Sequence, residues 1–94
     1  MIDGAGLIAS ERQRQLDAEG WTPEHDDGHE LGELIQAAIR YADNASPYDY
    51  GNRSSWPFEA SWWKPSDDPV RDLVKAGALI AAEIDRLQRL AVSK

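Results

Sequence analysis

The chain has no cysteine. No disulfide can brace the fold, and cysteine nucleophiles are ruled out. It also lacks an excess of positive charge. Ten lysines and arginines stand against 17 aspartates and glutamates, a net charge of −7. Nucleic acids and anionic membranes attract basic surfaces, so the balance argues against DNA, RNA or membrane as a partner, while leaving room for a small anion in a local basic pocket. No apolar run approaches the roughly 18 residues of a membrane span. The stretch MIDGAGLIASER has neither a basic n-region nor a sustained apolar segment, so no signal peptide is predicted and the expected location is cytoplasmic. There is no glycine-rich phosphate loop, and no G-x-S-x-G turn to present a serine nucleophile.

What is present fits one domain over residues 1–94. Apolar residues make up 41% and charged residues 29% of 94 positions, a soluble globular balance. So short a chain buries only about 60–65% of its unfolded surface, and association with further copies is a common remedy. Residues 1–6 (MIDGAG) read as a flexible lead-in. LIASERQRQLDAE (residues 7–19) reads as a helix stopped by Gly20, and the capping-box spacing of Ser10 and Gln13 allows a later start at Ser10. A second helix is expected from Glu24 to Asp43, capped by Thr22 with Pro23 in its first turn. Leu31, Leu34, Ile35, Ala38 and Ala42 recur at three- and four-residue steps and give it one apolar stripe.

Residues 44–67 form a long irregular segment rich in proline and aromatics, expected to be pinned by Trp56, Phe58, Trp62 and Trp63, with a short helical turn inside it allowed. Asp68-Pro69 then caps a third helix running to about Ala91. Its seam Leu73, Gly77, Ile80, Ile84, Leu87 and Ala91 alternates four and three apart, and AGALIAA (residues 76–82) is apolar around the whole circumference. Such a helix has to be covered on every side. The fold class expected is all-α: a small three-helix domain of two long antiparallel helices plus an N-terminal helix, with a long aromatic loop. A second copy of the chain is expected to cover what the other helices leave open, small residues permitting close approach, in a homodimer or larger ring.

Two groups of residues carry candidate chemistry. His25, His29 and Glu33 are spaced four apart, share one face of the expected helix, and are all types that ligate transition metals. The plainer reading is a solvated acidic helix start, since structural zinc sites draw on more histidine or cysteine than this chain offers. The second group is aromatic and basic. WPFEASWWKP holds Trp56, Trp62, Trp63 and Lys64, with Arg71 and Lys75 on the next helix and Arg12 and Arg14 on the first. Aromatic faces stack on bases, and guanidinium or ammonium groups meet phosphates. The plainer reading here is that tryptophans fill the core. Adjacent Trp62 and Trp63 do not easily point the same way.

Glu30 and Glu33 make an E-x-x-E pair that resembles the Mg²⁺-holding pair of all-α nucleoside triphosphate pyrophosphohydrolases of the MazG type. The resemblance implies a second acidic pair on another helix. The third helix offers Asp72, followed by Lys75 where another carboxylate is wanted. More broadly, ERQRQLDAEGWTPEHDDGHELGELIQAAIRYA, WPFEASWWKP and VRDLVKAGALIAAEIDRL resemble a family of short bacteriophage and prophage proteins across residues 11–90. A weaker similarity is to the ryanodine-receptor repeat, carried by Gly20, Trp21, Asp26, Asp27 and His29 and, loosely, by Trp63, Pro65 and Leu73. Glu30 stands where that module places a proline.

These resemblances imply a homo-oligomeric, non-enzymatic protein of the infected host cytoplasm. It would need no cofactor, and would capture a nucleotide-derived signal such as a cyclic nucleotide or an ADP-ribose derivative. Trp21, Trp62 or Trp63 would stack on the base, and Arg12, Lys64, Arg71 and Lys75 would meet phosphate. His25 and Asp26 would contact ribose or orient the base. One alternative is a Mg²⁺-dependent pyrophosphohydrolase using Glu30, Glu33 and Asp72. Another is an inhibitor of a host protein with the aromatic loop as its hot spot.

Overall fold

A computed structural model of the chain describes residues 1–30, 32–47 and 56–93. Leu31 of the predicted stripe and residues 48–55 of the aromatic loop lie outside the described residues. The described residues are all-α: α1 (Gly4–Ala18), α2 (Pro23–Asp27), α3 (Glu33–Ala45), a 3-10 turn (Ala60–Trp62) and α4 (Pro69–Ser93).

The second half of the expected lead-in, residues 4–6, is helix. Asp3 caps α1 by accepting from Gly6 N at 2.9 Å, which starts the helix at Gly4 and leaves Ser10 in mid-helix. A side-chain oxygen satisfying a free amide outweighs the glycines beside it. The stop at Gly20 is as the sequence predicts. Gly20 has φ +70°, and Trp21 N reaches back to Gln15 O at 3.0 Å, closing the helix end with a left-handed glycine.

The expected second helix is broken into two. Thr22 Oγ1 caps α2 by accepting from His25 N, with Pro23 first in the helix. The helix ends at Asp27, and α3 starts only at Glu33, after Gly32 at φ +85°. Residues with a side chain are strained at that φ, and a helix interior disfavours glycine by about 1 kcal/mol relative to alanine. Two glycines four apart in GHELG therefore allow the chain to turn.

Leu34, Ala37, Ala38 and Tyr41 of α3 pack with Ala76, Leu79 and Ala82 of α4, and Trp21, Trp56, Phe58 and Trp63 close over this core. Asn44, near the end of α3, bonds Asp72 near the start of α4. At the other end Arg89 of α4 bonds Asp27 and Pro23 O of α2. The two helices thus run in opposite senses. On the far side of α4, α1 docks with Ile8 over Gly77, where an added Cβ would lie 2.5 Å from Ile8 Cδ1. Gly77, expected in a seam between copies, is filled by the chain's own first helix.

One face stays open. Ile35 and Ile39 on α3 are 37% and 45% exposed, and Leu73, Ile80, Ile84 and Leu87 on α4 are 53%, 46%, 51% and 49% exposed. Each follows by one residue a buried position: Leu34, Ala38, Asp72, Leu79, Glu83 and Arg86. In two oppositely directed helices, the positions one step past the contact line fall on the same side. The six side chains therefore form one apolar surface. Among the described residues, no helix is long and apolar enough to cross a membrane.

Candidate functional site

Two neighbourhoods gather the chemistry-bearing side chains. The first lies where α1 crosses the start of α4. Glu11, almost wholly buried, accepts two hydrogen bonds from Arg14 at 2.8 Å and an ion pair from Arg71 Nη2 at 2.6 Å. Burial pushes the Glu11 carboxyl up, but the two guanidiniums together outweigh it and hold the group below the usual carboxylate range. Glu19 is likewise held low, first by Lys64, whose Nζ lies 3.0 Å away, and then by Arg14. Lys75 donates to Lys64 O and lies over the Tyr41 ring, 5.4 Å from its centroid. Burial, reinforced by the charge of Arg71, lowers the Lys75 ammonium.

Four cations therefore converge: Arg14, Lys64, Arg71 and Lys75. Arg14, Lys64 and Arg71 pair with two carboxylates, Glu11 and Glu19, and Lys75 joins them beside Trp21, Tyr41 and Trp62. Asp72 is buried below, where it accepts from Asn44 and from Ser66 N. A narrow cleft between the aromatics and the cations has room for about one water, at 10 Å³. Next to it, sharing Glu11 and Arg14, opens a crevice of about 330 Å³ walled by Leu7, Val70 and Val74, with Arg71, Ser10 and Asp68 on its rim. That volume lies at the lower end of small-molecule sites, about 300–1,000 Å³.

The second neighbourhood is a run of rings. Trp21 stacks on His25 at 6.1 Å with 4° between planes, and His25 meets His29 edge-on at 4.7 Å. His29 meets Phe58 at 4.9 Å, and Trp62 packs on Phe58 at 5.6 Å. Trp56 and Trp63 turn the other way, onto Tyr41, with Arg40 over the Trp63 ring at 4.6 Å. Trp62 and Trp63 thus diverge, one to each end of the cluster. Lys64 N donates to the Tyr41 hydroxyl at 3.2 Å. The described part of the loop is pinned to α3 as its aromatic content predicts.

Of the predicted ligand-binding residues, the structure brings Trp21, Trp62, Lys64, Arg71 and Lys75 to the first neighbourhood. Arg12 and Asp26 are used on each other. Arg12 Nη2 meets the buried Asp26 carboxylate at 2.7 Å and ties α1 to α2. His25 sits in the run of rings, and Trp63 packs against the core. His25, His29 and Glu33, expected on one face of an unbroken helix, come together across the break instead and are half-buried.

Glu30, Glu33 and Asp72 do not converge. Asp72 lies against Asn44, eleven residues past Glu33 and so about 16 Å along α3. Among the described residues, no three histidine, aspartate or glutamate side chains gather around one point as metal ligands. Glu11, Glu19 and Tyr41 are site residues that sequence reasoning did not single out, and Arg14, named in the basic group, was not assigned to phosphate. The Glu11/Arg14/Gln15 spacing on one helical face was the available signal.

Three comparisons bear on kinship. No protein-family model matches the chain, and neither a curated protein nor a solved structure is significantly similar to it.

Proposed function

We propose that the protein binds a small nucleotide-derived anion and holds it unchanged. The supporting observation is the convergence of Arg14, Lys64, Arg71 and Lys75 beside half-buried tryptophans, in a chain of net charge −7. Glu11 and Glu19 fix Arg14, Lys64 and Arg71 in place before any ligand arrives, which lowers the ordering cost of binding. Phosphate meets Arg14 and Arg71, and the ligand's body lies in the crevice along Leu7, Val70 and Val74. A base lies against Trp62 at the other end. A cyclic nucleotide or an ADP-ribose derivative has this chemistry. The resemblance to phage proteins supports sequestration of a host signal as the purpose. Incubation with ADP-ribose or a cyclic dinucleotide, then heat denaturation, returns the ligand intact under this reading; a hydrolysed ligand contradicts it.

We infer further that two copies associate through the open apolar face. At roughly 80 Å² apiece, its six half-exposed side chains make a patch of about 500 Å², large for a monomer. Two such patches hide about 1,000 Å², the size at which specific interfaces begin. The patch carries no charge, whereas the rest of an acidic chain repels its own copy. A twofold contact sets this patch on itself without burying a charge. Sedimentation equilibrium reads a mass of about twice 10.5 kDa if this holds, and Ile84→Glu returns it to one copy. A wild-type chain that stays single at tens of micromolar contradicts it.

A further inference from the structure

The break between α2 and α3 sets two imidazoles against each other. His25 Nε2 and His29 Nε2 lie 3.4 Å apart. The other nitrogen of each ring faces a carboxylate: His25 Nδ1 lies 3.4 Å from Asp26 Oδ1, and His29 Nδ1 lies 3.1 Å from Glu33 Oε2. A carboxylate accepts a hydrogen bond from a protonated Nδ1, so these two contacts fit the tautomer with the proton on Nδ1 in both rings. In that tautomer both Nε2 atoms carry a lone pair, and one electron-pair acceptor within reach of both can hold them together.

We propose that His25 and His29 together ligate one imidazole-preferring divalent ion, of which Zn²⁺ is the type. Two nitrogens bound to zinc at 2.0–2.1 Å with a tetrahedral angle between them are about 3.3–3.4 Å apart. The Nε2 pair has this spacing already. A carboxylate on the far nitrogen of each ligating imidazole is the usual means of fixing its tautomer and raising its basicity. Both carboxylates are themselves placed. Asp26 is buried and clamped by Arg12 at 2.7 Å, and Glu33 opens α3. The ring planes are set by Trp21 stacked on His25 and by Phe58 edge-on to His29.

Among the described residues no third histidine or carboxylate joins the pair, so two coordination positions remain for water or an incoming donor atom. Imidazole donors select zinc, copper, nickel or cobalt over magnesium and calcium, which want oxygen. The site is therefore distinct from the Mg²⁺ site of the pyrophosphohydrolase alternative. Its ligands are also separate from the cations of the anion crevice, which lie on α1, α4 and Lys64, although Trp21 and Trp62 border both.

Calorimetric titration of the full chain with ZnCl₂ in a non-coordinating buffer tests this, with MgCl₂ as the control. One Zn²⁺ per chain is expected, and no heat from Mg²⁺. His29→Ala and His25→Ala each weaken zinc binding at least tenfold. Glu33→Gln, which keeps the side chain's shape, weakens it severalfold, and circular dichroism of each variant confirms the helices. Histidine side-chain ¹⁵N spectra of the wild type supply a readout that needs no variant: on adding zinc, both Nε2 signals shift together while both Nδ1 stay protonated. Zinc bound equally well by His29→Ala, or Nε2 signals unmoved at saturating zinc, overturns the proposal.

Discussion

Asn44 donates a 2.7 Å hydrogen bond to Asp72 Oδ2 across 28 residues of sequence, and Asp72 is fully buried. Its other oxygen accepts from Ser66 N at 3.0 Å. One carboxylate thus joins the end of α3, the end of the loop and the first turn of α4. Removing it leaves two half-buried donors without this partner, at up to about 1–3 kcal/mol each. Asp72→Ala is expected to lower stability by about 2–4 kcal/mol and Asn44→Ala by about 1–3 kcal/mol, with the double variant costing less than the sum. Urea denaturation of the four chains measures this.

The Glu11 cluster makes stability depend on pH. Glu11 and Glu19 both have folded-state values below their ordinary 4.5. Their stabilising contribution is complete above the unfolded-state value and is lost as pH falls through the lower folded-state values. Melting temperature is expected to hold from pH 7 to about 5 and then fall. Glu11→Gln lowers stability at pH 7 by about 1–3 kcal/mol, part of the loss of a buried pair being offset by water at the half-exposed arginines. The variant's curve is flatter below pH 4.5. Equal acid sensitivity in the two chains contradicts this account of Glu11.

The two glycines of the helix break make different predictions. Gly32 has φ +85° with open space around its Cα, so Gly32→Ala pays backbone strain alone, about 1–2 kcal/mol. Gly28 has φ −74°, and its added Cβ meets only His25 O at 3.4 Å. Gly28→Ala is expected to change stability by less than about 0.5 kcal/mol. Thermal melts of both variants separate the two effects.

Much of this fold is legible in residue pattern. Asp68-Pro69 and Thr22-Pro23 cap their helices through local hydrogen bonds, and Gly20 ends α1 because the turn needs a left-handed residue. Local rules read local structure. Leu34 and Ala38 of the expected stripe mark the buried side of α3, whereas Ile35 and Ala42 are exposed and Tyr41, outside the stripe, is buried.

The break at Gly28–Gly32 was hidden by a charge pattern that suits the start of a long helix equally well. The site is less legible still. Arg12 looks free for phosphate until its partner Asp26, 14 residues on, is seen beside it. Glu11 gains its importance from Arg71, which only the docking of α1 on α4 brings within reach. Long-range ion pairs leave no periodic trace in sequence, so cations used internally and cations offered to a ligand look the same there.

The most direct test of the central claim is a calorimetric titration of ADP-ribose and a cyclic dinucleotide into the wild-type chain and into Arg71→Ala. Saturable binding of at least one of them by the wild type, weakened tenfold or more in the variant and falling with added salt, is the predicted result. Heats indistinguishable from buffer for both ligands, or equal affinity in both chains, contradict it.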